Sequence, residues 1–167
     1  ALGLISKVKT SFLKAAELDP TDKEVRWAMV ELYTQLPGFL GGSYDKAMIY
    51  ASELEVLSNP QGYFAKAYVY ENSNREVLAK ACYKKGLDGL NELAYSQSKL
   101  SKPSHFKFHN NSIQFLVASA CVVLNTQLST GQYYIQVYIK DFSSKDREPL
   151  EVAYLLQAQI FKLQNKV

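Results

Sequence analysis

One spacing recurs along this chain and limits what it can fold into. Val8, Phe12 and Ala15 are separated by four and then three positions, as are Ala47, Ala51 and Leu54, then Ala79, Tyr83 and Gly86, and in a looser copy Ile135, Ile139 and Phe142. At 3.6 residues per turn those steps return to one side of a helix, so each set marks a helix face. Five positions beyond the first three sets stand Pro20, Asn59 (with Pro60 next) and Asn91. All are helix-stopping or turn-favouring types. In the fourth copy Arg147 holds that place and Pro149 follows slightly late.

A second pattern precedes three of these copies and returns near the end: Val30 to Tyr33, Ala67 to Tyr70, Ala118 to Cys121 and Ala158 to Phe161. A small or slim residue lets two helix backbones approach, and a larger one three positions on fills the space beside that contact. Together the patterns predict helix pairs. Capping agrees: Thr21-Asp22-Lys23-Glu24 and Ser73-Asn74-Arg75-Glu76 each offer a hydroxyl followed three residues later by a carboxylate, and Ser43 after Gly41-Gly42 fits an N-cap.

These residues resemble the tetratricopeptide repeat, a roughly 34-residue helix–turn–helix unit. The closest piece is Phe12-x-x-Ala15-x-x-x-x-Pro20 followed by Val30-x-x-Tyr33. From Tyr70 to Ala79 there are nine positions, which suits that family, whereas from Tyr33 to Ala47 there are fourteen. Five residues are therefore inserted between the two helices of one repeat, within Leu36–Ser43. The segment from Pro37 to Ala47 looks like a loop of a bacterial, often exported, tetratricopeptide subfamily, so the resemblance implies export in bacteria, while the composition is equally compatible with cytoplasm. The resemblance is strong over 6–90 and weak after Ser96.

The fold expected is all-α, a right-handed helical-hairpin solenoid of three to four tetratricopeptide-like repeats in one domain, 1–167. Clear repeats cover 1–95, an exposed connection rich in Ser, Lys and Asn covers 96–111, and degenerate repeats cover 112–167. The stretch Gln132–Lys140, β-branched, aromatic and partly alternating, leaves a strand as the competing reading. As drawn, the chain starts in the second helix of one pair and ends in the first of another. Helices outside this chain or a second subunit are then expected to cover an uncapped end, and the domain is expected to belong to a longer chain.

The resemblance also implies a surface. In such arrays the first helix of each pair lines a concave groove, which here would present Glu24, Trp27, Glu31 and Thr34 from one repeat and Gln61, Phe64, Tyr68 and Glu71 from the next. Stacking would set Trp27 beside Phe64 and Glu31 near Tyr68. Aromatics flanked by carboxylates suit an extended peptide or another protein's helix. The alternative is that the rings are covered by the chain's own packing. Arg26 stands where the family usually has a buried aromatic. No Lys/Arg cluster is present to clamp a peptide's terminal carboxylate.

The inserted loop is expected to be structural: Pro37, Gly38, Gly41 and Gly42 reverse the chain before Ser43, and Phe39 and Leu40 tuck between helices. Contact of Phe39 and Leu40 with a partner is the competing role. Chemistry finds little footing. Gly38, Gly41 and Gly42 lack the Lys-Ser/Thr of a phosphate loop. His105 and His109 are four apart but have no further ligand nearby, so no metal is expected. Glu17, Asp19, Asp22, Glu24 and Glu31 suit helix caps and solvated faces better than a catalytic carboxylate pair. Neither histidine sits beside a recognisable Ser or Cys nucleophile. No enzyme activity and no cofactor are expected.

Charge decides little: 19 basic against 16 acidic residues leave +3, too mild a surplus to predict a polyanion partner. Lys99, Lys102 and Lys107 interleaved with Phe106 and Phe108 superficially suit single-stranded nucleic acid, but three lysines read better as a solvated loop. The apolar stretch Ile113–Leu124 is broken by Gln114 and Ser119 and is too short for a membrane span. Cys82 and Cys121 allow at most one bridge and suit two buried thiols. The reading is thus a non-catalytic adaptor for a protein or peptide; the alternative is an exported transport-accessory protein holding a small apolar ligand or peptide between repeats, and an enzyme or nucleic-acid binder ranks last.

Overall fold

A computed structural model describes residues 2–98 and 106–165, and these form an all-α protein. Helix α1 is Leu2–Leu18, α2 Lys23–Gln35, α3 Tyr44–Leu57, α4 Asn59–Asn72, α5 Glu76–Ser98, α6 Asn111–Val123, α7 Leu128–Lys140 and α8 Leu150–Gln164. Gln132–Lys140 is helix, not strand. The buried residues of α7, Gly131, Tyr134, Ile135 and Tyr138, follow helical spacing, which the β-branched composition masked. Among the described residues no helix is long and apolar enough to cross a membrane. The chain divides into two compact units, Ala1–Cys82 and Tyr83–Val167, with the division inside α5.

In the first unit α1 packs on α2, α2 on α3 and α3 on α4, with α2 also touching α4. The expected faces do the packing. Ala47, Ala51 and Leu54 on α3 are fully buried, as are Val30 on α2 and Ala67 on α4. A Cβ on Gly62 would overlap the backbone of Glu55, so α3 and α4 approach as closely as glycine allows. Helix α3 passes almost directly into α4: Ser58 ends one and precedes the other, and Pro60 sits in the first turn, where its missing N–H costs nothing.

Both expected capping boxes are displaced. Thr21 donates its hydroxyl back to Asp19 (2.7 Å), so Asp22 caps α2, accepting from the amides of Glu24 (2.8 Å) and Val25 (3.1 Å). Ser73 belongs to the end of α4, where its hydroxyl donates to the Tyr70 carbonyl (3.1 Å). Asn74 then takes a left-handed conformation and the Arg75 amide reaches back to Tyr70 (2.8 Å), a Schellman-type stop. Ser43 does cap α3, accepting from the Lys46 amide at 3.3 Å.

In the second unit α6, α7 and α8 pack mutually. Ala118 and Cys121 on α6 are fully buried, and a Cβ on Gly131 of α7 would stand 2.8 Å from Cys121 Cβ. The chain turns between these helices through left-handed Asn125, with Thr126 N–H donating to the Cys121 carbonyl (3.0 Å). Two expected faces are out of register. Ile139 and Phe142 are only half-buried, and the last small–large copy fails outright: Ala158 and Phe161 are exposed while Ala153, Leu156 and Ile160 form the inner face of α8.

Candidate partner-binding surface

The residues expected to line a groove separate into two groups. Trp27 is 1% exposed and Phe64 fully buried, and Tyr68, Thr34 and Gln61 are buried as well. Glu31 is half-buried, while Glu24 and Glu71 are exposed. The Trp27 ring lies 6.3 Å from that of Tyr68, tilted by 33°. Tyr68 accepts a hydrogen bond from Gln35 Nε2 (2.5 Å), and Gln35 also donates to Asn72 Oδ1 (3.2 Å). Burial at these positions follows from size and polarity: the large rings are covered, and the carboxylates at either end stay in water.

The inserted loop behaves differently from its expected role. Its backbone does reverse the chain. Gly38–Leu40 form a single 3₁₀ turn, Gly41 adopts φ 85°, and a Cβ on Gly42 would overlap the Leu36 carbonyl. The Gly42 amide donates to Pro37 (3.1 Å) and that of Ser43 to Tyr33 (2.9 Å). Phe39, however, does not tuck between helices; it is 86% exposed, and Leu40 is half-buried. With its backbone closed into that tight turn, the loop carries the Phe39 ring at its tip.

Sequence reasoning missed what steadies that tip. Lys9 of α1 donates to the carbonyls of Leu40 (3.3 Å) and Gly41 (3.1 Å), and its ammonium also lies 5.1 Å from the centre of the Tyr33 ring. Tyr33 stacks on Tyr50 at 5.7 Å, with Lys46 on the ring at 5.6 Å. Burial, then the neighbouring Tyr33 and Glu53, raises the Tyr50 hydroxyl above its ordinary range, so it stays neutral. No local signal marks Lys9, because the carbonyls it holds lie more than thirty positions away. Arg26 was visible as an oddity. It is buried, donates to the Asp19 carbonyl (3.1 Å) and pairs with Glu53 (3.5 Å), joining the α1–α2 turn to α3.

In the second unit the rings of the lysine–aromatic cluster pack against the chain itself. Phe108 is buried and meets Phe106 edge-on at 5.0 Å and Tyr134 at 6.0 Å. The Tyr134 hydroxyl donates to the Phe106 carbonyl (2.6 Å) and Gln114 Nε2 to that of Phe108 (2.9 Å), which pins this segment down. The part of the connection after residue 105 is therefore an anchored segment and not an open loop. Lys107 pairs with Asp141 (2.6 Å), which holds that carboxyl below its usual range. His109 is exposed; His105, Lys99 and Lys102 lie outside the described residues. Neither cysteine is bridged, and burial pushes the Cys121 thiol up to about 12.

Compared with protein-family models, with curated proteins and with solved structures, the chain matches none.

Proposed function

We propose that this chain is a non-catalytic, tetratricopeptide-like scaffold that binds a protein or peptide partner, with the loop Pro37–Gly41 as a principal contact. The observation that carries the reading is Phe39: a large ring held in water at the tip of a loop whose carbonyls are fixed by Lys9. An exposed aromatic on a rigid support can bury its area against a partner while losing little conformational freedom, the usual character of an interface anchor. The helix pairs of the first unit, with their small-residue packing faces, support the tetratricopeptide-like part of the reading. Under this reading Trp27, Phe64 and Tyr68 act as the floor on which the surface is built, and Glu24 and Glu71 supply orienting charge.

The test is a quantitative pull-down from native extract with wild type, Phe39→Ala and Glu24→Lys. Capture lowered roughly tenfold or more by Phe39→Ala, with an unchanged melting temperature, is the expected result. Equal capture by all three proteins would remove the loop from the interface.

A further inference from the structure

Three exposed helix faces compete for attention. On α1, Leu4 and Leu18 are exposed on one side but stand at opposite ends of the helix, and exposed Leu13 lies on the side opposite Leu4. On α3, Ile49 and Val56 share a side with Asp45 and Glu53, so a second copy arriving there would meet like charge. Helix α8 differs. Opposite its buried Ala153, Leu156 and Ile160 it exposes Tyr154 (52%), Leu155 (60%), Ala158 and Phe161, with Glu151 in the first turn and Lys162 in the last.

This face is complementary to itself. In an antiparallel pair of identical helices, a two-fold axis passing between Leu156 and Gln157 sets each residue against the one equally far on the other side. Leu155 then faces Ala158, so a large side chain meets a small one. Glu151 of each copy faces Lys162 of the other, these two being eleven positions apart and on one side of the helix, while Tyr154 and Phe161 flank the seam on one side; all of these positions are exposed. Size and charge agree on the same register. Such agreement suits the isologous contact that closed two-fold dimers require.

We infer that the chain associates with a second copy of itself through an antiparallel α8–α8 contact in this register. The contact spans three helical turns on each side, which is small for a stable interface, so the dimer is weak and concentration-dependent. The inference is independent of the Phe39 surface: either can fail without the other. Glu151 and Lys162 also complement the dipole of their own helix, a benefit that acts within one chain, so the deciding measurement is association and not stability.

Sedimentation equilibrium of the full chain, up to about 1 mM, tests the register by a charge swap. Wild type is expected to dimerise reversibly. Glu151→Lys or Lys162→Glu alone replaces two attractive pairs per dimer by two repulsive ones and weakens association roughly tenfold. The combination of both substitutions restores it to within about threefold of wild type, because the pairs are re-formed with signs exchanged. These side chains are exposed, and far-UV circular dichroism confirms the fold of each variant. A wild type that stays monomeric throughout would overturn the inference. So would a dimer indifferent to the single reversals, or one weakened further by the double swap.

Discussion

Two phenylalanines, one in each unit, show how differently the halves of this chain use an aromatic ring. Phe39 stands in solvent at the tip of a loop whose backbone is tied from beneath by Lys9. Phe108 is 1% exposed, in a segment whose carbonyls are held by Tyr134 and Gln114. The first unit closes its helix pairs with small residues, Ala47, Ala51 and Gly62, and its inserted loop is free to display a ring. The second unit also brings α6 and α7 together over small residues, Ala118, Cys121 and Gly131, but adds the aromatics Phe106, Phe108, Phe115, Tyr134 and Tyr138 and uses the equivalent freedom of a connection to complete its core. An inserted segment is thus a surface in one place and a structural part in the other: both have anchored backbone carbonyls, and the burial of the ring separates them.

The comparison breaks most visibly at Phe108. Phe108→Ala empties a fully packed site and is expected to cost about 3–5 kcal/mol, read by chemical denaturation, with hydrogen exchange locating the loss in 83–167. A cost under about 1 kcal/mol would show that the segment rests on the core without completing it. Gly62→Val is the counterpart in the first unit. Its Cβ meets backbone, which cannot swing aside as a side chain can, so a loss of about 3 kcal/mol is expected, at the upper end for overpacking. An unchanged midpoint would mean that α3 and α4 can separate without penalty.

Alkali should sort the units by their buried acids. Burial raises the Cys121 thiol and the Tyr138 hydroxyl to about 12 and lifts the Tyr134 hydroxyl too. Folded, these groups stay protonated; unfolded, the thiol ionises near its ordinary 9.0 and the phenols near 10.0. The unfolded chain therefore binds fewer protons above pH 9, and stability falls as pH rises from there toward 12. Hydrogen exchange at pH 7 and after alkaline titration should show 106–165 opening before 2–72. Simultaneous opening would mean that the thiol and phenols are less enclosed than their burial indicates. Thiol labelling sharpens the point: at pH 8 iodoacetamide is expected to modify half-exposed Cys82 and to spare Cys121.

How far the sequence spoke depends on which residues made the contacts. Where approach is set by small residues at fixed steps, as at Ala47, Ala51 and Leu54, the helices and their inner faces were legible, and so was the reversal at Gly41-Gly42. In α7 and α8 the spacing misled by one register, because aromatic and β-branched residues occupy both faces and only burial distinguishes Tyr138 from Ile139 or Ala153 from Ala158. The cap of α2 slipped by one position because Asp19 takes the amide and hydroxyl of Thr21, which leaves Asp22 to accept from the amides of Glu24 and Val25. The groove suffered most. Its residues were placed on the helices expected, but no one-dimensional pattern tells a ring lining a surface from a ring lying beneath one, and Trp27 and Phe64 lie beneath. Lys9 was invisible because an attachment across thirty residues leaves no periodic trace.

The smallest expected effect bears most directly on function. Phe39→Ala removes a ring that the folded chain leaves in water, so almost no apolar burial is lost, and the melting midpoint should move by no more than about 0.5 kcal/mol in free energy. A larger loss would mean that the ring packs against its own chain in solution, as the sequence led one to expect, and the proposed anchor would be a core residue. Lys9→Met provides the control. It leaves two loop carbonyls without their donor and should cost about 1 kcal/mol, since both are partly solvated and water replaces much of the interaction. If Phe39→Ala is silent for stability and Lys9→Met is not, the loop is a stiff support for a free ring. Partner binding should then respond to both substitutions: to Phe39→Ala through lost contact, and to Lys9→Met through lost preorganisation.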